Sequence, residues 1–343
     1  MAVRIRTSEW ISGCLISLTA TDYASRRKAT EVAAYTIHPP SIPKMSSIKS
    51  VALAGGSGII GTAVLKALTE AGFMVTVLTR KYNSHTFPPS VKIAEIDYND
   101  AETLAAALQG QDAVVSAVGY AAIKAQEVLF DAAIKRGVQR VIPSEYGGDP
   151  DCAAVRQLPV FAQKVEVESK LKQQIQGTST TYTLVCNNEF FDWDLDHKFG
   201  VDLQAKKMEV FDRGDVPFTA TPLEFVAKGV VGVLQHPSET ANRVVRLHGK
   251  KMTQNRLLQV IQHCGSVDGW EISHASTADR EREGYEVLQK QPNNFMGWAI
   301  PFLQCAIWGR KFGGDFSQNN DNELLGLKEL DDDEIKEIVR SRL

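Results

Sequence analysis

The sequence predicts an α/β fold built on a doubly wound parallel sheet, with a smaller α+β part after it. Two observations carry this. Strand-like runs at 50–54, 73–78, 91–96, 113–118, 140–142 and 182–185 alternate with helical patterns at 62–71, 101–108, 123–136 and 161–175, and such alternation calls for a parallel sheet covered by helices. The first strand also runs straight into Gly55-Gly56-Ser57-Gly58-Ile59-Ile60-Gly61, which opens the first helix. Strand, glycine turn and helix in that order are the fingerprint of an NAD(P)-binding Rossmann domain. The early glycines let the backbone turn and approach a diphosphate, Gly61 lets helix and strand pack closely, and the anion sits on free N–H groups at the helix start.

The end of the second strand selects among dinucleotides. An NAD-preferring site places an acid about 20 residues past the glycines to bind the ribose 2′-hydroxyl. Here the chain reads Leu78-Thr79-Arg80-Lys81-Tyr82, which is basic and suits a 2′-phosphate gripped by the Arg80 fork with Lys81 beside it. NADPH is the expected cofactor.

Composition bounds the rest. With 343 residues, 43% of them hydrophobic, and a net charge of −3, the chain is an ordinary globular one with no basic excess that would imply nucleic acid. The longest apolar stretch, 295–308, is too short to span a membrane and contains Pro301. Five scattered cysteines without C-x-x-C spacing suit a reducing compartment, so a cytoplasmic location is expected. Residues 1–44 carry six cations against three acids and end in a Pro-rich break before Met45, and are expected to be a disordered leader or an over-extended start. Residues 45–187 are expected to form the cofactor-binding domain and 188–343 the substrate-binding part, in a monomer or homodimer. Beyond 187 the pattern mixes strands and helices, at 208–211, 223–234, 243–247, 254–263 and 270–274.

A hydride-transfer site also needs a proton donor or acceptor. Tyr120-x-x-x-Lys124 has the spacing of a short-chain dehydrogenase pair but follows the fourth strand, whereas that superfamily's pair follows the fifth. The fifth strand leads instead into Pro143-Ser144-Glu145-Tyr146-Gly147 and then a helix on which Phe161, Lys164, Val165, Glu168 and Leu171 share a side. A cation among apolar neighbours is expected to be partly buried, which lowers its pKa toward the range useful for proton transfer.

Pro143-Ser144-Glu145-Tyr146-Gly147 resembles the Pro-Ser-Glu-Phe-Gly segment of isoflavone reductases and phenylcoumaran benzylic ether reductases. Phe161-x-x-Lys164, Tyr182-Thr183-Leu184-Val185, Asn188-Glu189-Phe190 and the late Gly314-Asp315-Phe316 resemble their counterparts in the same enzymes. The glycine loop is similar to theirs with Ser57 for the usual threonine, and the likeness runs from about residue 48 to about residue 320. Asn188-Glu189-Phe190-Phe191-Asp192-Trp193 resembles most the fungal, NmrA-like branch of atypical short-chain dehydrogenases. The resemblance implies that Lys164 is the catalytic lysine. Lys164 and Asn188 are also expected to bind the cofactor, and Tyr120, Phe190, Trp193 and Trp298 to face substrate. The chain departs from the plant pattern in a longer stretch between Lys164 and Tyr182, and in lacking a clear second basic residue for the phosphate unless Lys81 serves.

No metal site is expected. Asp192-x-Asp194-x-Asp196 begins like a calcium loop but has His197 where a glycine is required and Leu203 where a glutamate is required. Phe191, Phe295 and Trp308 suit either an aromatic pocket or core. The expected activity is NADPH-dependent reduction of a small aromatic or conjugated metabolite, an enone, quinone methide or imine, plausibly in secondary metabolism. The alternative is a non-catalytic, NmrA-like redox-sensing regulator that binds NAD(P) and a protein partner.

Overall fold

The computed structural model describes residues 46–80, 86–265 and 268–343. The expected leader and Lys81 lie outside them. The first half runs β1 (Ser50–Ala54), α1 (Ile59–Glu70), β2 (Met74–Thr79), β3 (Lys92–Glu95), α2 (Ala101–Ala107), β4 (Ala113–Ser116), α3 (Gln126–Lys135), β5 (Arg140–Ile142), α4 (Ala153–Arg156), α5 (Ala162–Gln174) and β6 (Thr181–Cys186). There follow β7 (Glu189–Phe190), α6 (Phe191–Asp196), β8 (Val201–Asp202), β9 (Lys207–Phe211), β10 (Phe218–Thr221), α7 (Leu223–Gln235), β11 (Arg243–Arg246) and β12 (Lys250–Met252). The chain ends with α8 (Gln254–Cys264), β13 (Glu271–Ala275), α9 (Thr277–Lys290), α10 (Phe295–Trp308) and α11 (Asp332–Arg340).

Seven parallel strands form the main sheet in the order β11-β6-β5-β4-β1-β2-β3. Strand β1 is buried on both faces, as its unbroken apolar sequence requires. Its side chains alternate: Val51 and Leu53 join a core with Leu65 and Leu68 of α1 and Val226, Val230 and Val233 of α7. Ala52 and Ala54 join the opposite core with Leu129 and Phe130 of α3 and Val167 and Leu171 of α5. Helix α7 and strand β11 come from beyond residue 187, so the later part of the chain re-enters the sheet layer. The order reverses at β1, between β2 and β4, which puts a crevice at the carboxyl ends of these strands.

Two three-stranded sheets, β12-β10-β7 and β13-β9-β8, extend the molecule. Their core gathers Phe191, Phe211, Phe218 and Trp308 with Ile335 and Val339 of α11. Helix α11 begins with a reciprocal cap in which the Asp331 side chain accepts from backbone N–H groups and Glu334 accepts from the Asp331 N–H. Helices α9 and α10 pack on one another and bring Trp298 and Phe302 against Val160 and Phe161, just ahead of α5. Among the described residues no helix is long and apolar enough to cross a membrane.

Candidate active site

The glycine loop is a cradle that side chains would destroy. Gly55 has φ +78°, and a Cβ on it would stand 2.5 Å from the Ala117 carbonyl oxygen; one on Gly61 would stand 1.9 Å from the Gly55 carbonyl oxygen. The Gly58 N–H donates to that same Gly55 carbonyl at 2.9 Å, closing the turn. Helix α1 then starts at Ile59 behind an extended Gly58, with no side-chain cap and no acid in its first turn. Its leading N–H groups and dipole are therefore presented to an anion, and Ser57, Gly58 and Ile59 are exposed on the outer side. Gly56 backs onto Val77 of β2. A cavity of about 480 Å³ adjoins the loop, lined by Gly56, Ser57, Thr62, Lys66 and Thr86-Phe87-Pro88 among others. Arg80 follows β2 directly and acts electrostatically on Tyr98, whose phenol is pushed up by burial. The cradle, the uncapped helix start and the adjacent cation fit a dinucleotide with its diphosphate on α1.

The second half of the site lies where β5 ends. Lys164, in the first turn of α5, donates from Nζ to the backbone carbonyls of Glu145 and Tyr146, both at 2.7 Å, and stands 5.6 Å from the Phe161 ring centroid. Lys164 is half-buried. Burial lowers its pKa and the Glu145 carboxylate opposes that shift. For Glu145, burial is again the larger effect and pushes the carboxyl up to about 7 against the attraction of Lys164. An ammonium has three donors. Two are spent on carbonyls, which leaves one for a ligand.

The loop that receives Lys164 is pinned on every side. The Ser144 N–H donates to Gln126 at 2.8 Å and its hydroxyl to the Val118 carbonyl at 2.8 Å. The Gly147 N–H donates to the Asn187 side chain at 3.0 Å, and the Gly147 carbonyl accepts from the Asn188 N–H at 2.9 Å. Arg246, at the end of β11, grips Asp149 with two bonds of 2.9 Å and reaches Asp151 at 2.6 Å. Asn188 thus occupies the Lys164 neighbourhood, in a left-handed conformation with φ 57°, and its amide Nδ2 faces the Thr219 carbonyl at 3.4 Å.

The four aromatic candidates do not form one wall. Tyr120 stacks on Phe295 with centroids 4.1 Å apart and meets Trp298 edge-on at 6.1 Å. Burial raises the pKa of its phenol, and Gln163, the neighbour of Lys164, acts against that. Phe190 instead packs against the α1–α7 core, and Trp193 stacks on His197 of its own helical segment with centroids 4.2 Å apart.

Three features were not foreseen. Arg246 lies far from β5 in sequence, so only the sheet topology reveals its grip on the loop. Glu145 stood within a recognised segment, but nothing in its spacing marks a buried carboxyl. Asp194, placed by sequence in a failed calcium loop, lies on α6 within hydrogen-bonding reach of Glu189; both are buried and each pKa is raised, Glu189 to about 8.

Glycine cradle and half-buried lysine at one edge of a doubly wound sheet define a Rossmann-type dinucleotide protein of the short-chain dehydrogenase kind. Residues 47–265 match the model of the NmrA-like family, and the chain belongs to that family. A Penicillium oxalicum protein described as oxidoreductase poxI is 31% identical over 313 residues, 88% of this chain and 97% of that one. Among solved structures, an isoflavone reductase superposes with a TM-score of 0.67 at 21% identity, covering 84% of this chain and 99% of that one. A leucoanthocyanidin reductase–NADPH complex from Vitis vinifera superposes with a TM-score of 0.68 at 18% identity, with the same coverages of 84% and 99%.

The Glu189–Asp194 pair makes stability depend on pH. A carboxyl whose folded pKa is raised contributes stability below its unfolded pKa and loses it as pH climbs through the folded one. For Glu189 that window runs from 4.5 to about 8. In urea titrations across it, a Glu189→Gln, Asp194→Asn double variant should gain on wild type as pH rises; a constant difference would mean that the pair does not titrate differently on folding.

Proposed function

We propose that this chain is an NADPH-dependent reductase of a small aromatic or conjugated molecule, with Lys164 moving the proton. The observation that carries the reading is the half-buried Lys164, its ammonium aimed by two carbonyls that leave one of its three donors over, at the same sheet edge as the glycine cradle. Bound NADPH supplies the hydride. The chain's own residues do the rest. The α1 N-terminus holds the diphosphate and Arg80 the 2′-phosphate. Tyr120, with Phe295 and Trp298 behind it, offers an aromatic face to a flat substrate. Lys164 gives its proton to the oxygen or nitrogen on which charge develops in an enone, quinone methide or imine. The fungal relative named as an oxidoreductase and the NADPH-bound reductase of the same fold support this reading.

Arg80→Ala should weaken NADPH by about 1.5–3 kcal/mol, the worth of a hydrogen bond to a charged group, while NADH binding barely changes. Calorimetric titration with both cofactors checks it, and equal losses would remove Arg80 from the 2′-phosphate.

Screening enones and quinone methides for NADPH oxidation identifies a substrate on which Lys164 is then tested. Lys164→Met should lower kcat by about 100- to 10,000-fold with NADPH affinity within a few-fold. Lys170→Met is the control, because Lys170 is exposed and engaged with Glu127 and Glu166. NADPH binding without turnover on any candidate, together with a co-purifying protein, would instead favour a redox-sensing regulator.

A further inference from the structure

Lys164 is aimed only as well as its two acceptors are. The Glu145 and Tyr146 carbonyls take its bonds at 2.7 Å, yet both lie between the end of β5 at Ile142 and the start of α4 at Ala153, outside any strand or helix that would fix their direction. A carbonyl and the N–H that follows it belong to one planar peptide and point opposite ways. The Tyr146 carbonyl is therefore oriented by whatever holds the Gly147 N–H. Gly147 has φ +127°, and glycine's freedom at such angles gives the peptide little preference of its own. The partner is the Asn187 side chain, whose Oδ1 accepts the Gly147 N–H at 3.0 Å. Only the amide oxygen can face that N–H, which leaves Nδ2 toward the Glu189 carbonyl at 3.4 Å. The Gly147 carbonyl is held from the same segment, accepting from the N–H groups of Asn187 at 3.2 Å and Asn188 at 2.9 Å. Asn187 is fully buried, and its own carbonyl accepts the Thr221 hydroxyl at 2.8 Å, which ties it to β10.

We propose that Asn187 is a positioning residue for Lys164: by holding the Gly147 N–H it turns the Tyr146 carbonyl onto the ammonium, so that the remaining donor of Lys164 keeps one direction. The inference rests on the reading of Lys164 as the proton mover. The bonds run in series from Asn187 Oδ1 through the Tyr146–Gly147 peptide to Lys164 Nζ, and each polarises the next. A carbonyl aimed at an ammonium favours its charged form. Freeing this peptide therefore blurs the direction of the proton donor and makes the neutral amine easier to form. Thr221 acts one step further back, on the backbone that carries Asn187.

The test uses the NADPH-bound protein with lysine labelled at Cε by carbon-13, the Lys164 resonance being the one that Lys164→Met deletes. Asn187→Ala removes the acceptor and keeps the main chain. It should lower the Lys164 titration midpoint by about one pH unit, the scale of one hydrogen bond to a charged group. The alkaline limb of the kcat profile should move down with it, while NADPH affinity stays within a few-fold. Asn187→Asp keeps an oxygen on the Gly147 N–H and should lower neither midpoint nor limb. Thr221→Val frees only the Asn187 carbonyl and should lower both by less; it reads the same claim if the alanine variant does not fold. An unmoved midpoint in Asn187→Ala, whether kcat drops uniformly or NADPH affinity alone is lost, overturns the proposal. So does an Asn187→Asp midpoint that falls as far as the alanine one, or an unmoved Thr221→Val midpoint where only that variant folds. The two readings fail separately: an active Lys164→Met removes Lys164 as proton mover, whereas an inactive Lys164→Met alongside an unmoved limb in Asn187→Ala removes only Asn187.

Discussion

An ammonium drawn partly out of water must be solvated by other groups, and at the half-buried Lys164 the backbone does it. The carbonyls of Glu145 and Tyr146 can serve only if the irregular chain after β5 is held still. Much of the surrounding architecture converges on that requirement. Gln126 of α3, the Val118 carbonyl after β4, Asn187 and Asn188 after β6, and Arg246 at the end of β11 each fasten one point of the 144–151 loop. They come from the carboxyl ends of β4, β6 and β11 and from the helix between β4 and β5, so the parallel sheet is what allows them to meet.

The same topology relates the lysine to the glycine cradle. Strand order reverses at β1, and β4 and β5 lie beside it on one flank while β2 lies on the other. In the proposed reading, an extended cofactor laid across that crevice would rest its diphosphate on α1 and its 2′-phosphate near Arg80 after β2, with the loops after β4 and β5 at the other end. Tyr120 follows β4, and Lys164 in the first turn of α5 bonds the loop after β5. The chemistry expected of Lys164 thus follows from its position in the sheet as much as from its own pKa.

The sheet was legible because its strands are short apolar runs between clear helical periods; β1 and β5 fall where the sequence pattern places them, at 50–54 and 140–142. The cradle was legible because glycine spacing is a backbone requirement. What escaped was every contact made by residues distant in sequence. Phe190 and Trp193 looked like pocket residues beside Asn188, yet a strand followed at once by a helix turns them into separate packing environments, apart from the Tyr120–Trp298 group. Asp194 could not be recognised as a buried acid because burial against Glu189 depends on the fold of α6 over β7 and β10. Phe295 and Trp298 took up their role only because α10 packs beside the start of α5.

The central claim is that the third N–H of Lys164 faces the place of hydride transfer. A crystal structure of the complex with NADP and a non-reactive substrate analogue tests it most directly. The account predicts Lys164 Nζ still on the Glu145 and Tyr146 carbonyls, with its remaining donor about 3 Å from the analogue's oxygen or nitrogen or from the nicotinamide riboside, directly or through one water. A nicotinamide seated where Lys164 cannot reach it or the analogue even through a water would contradict it.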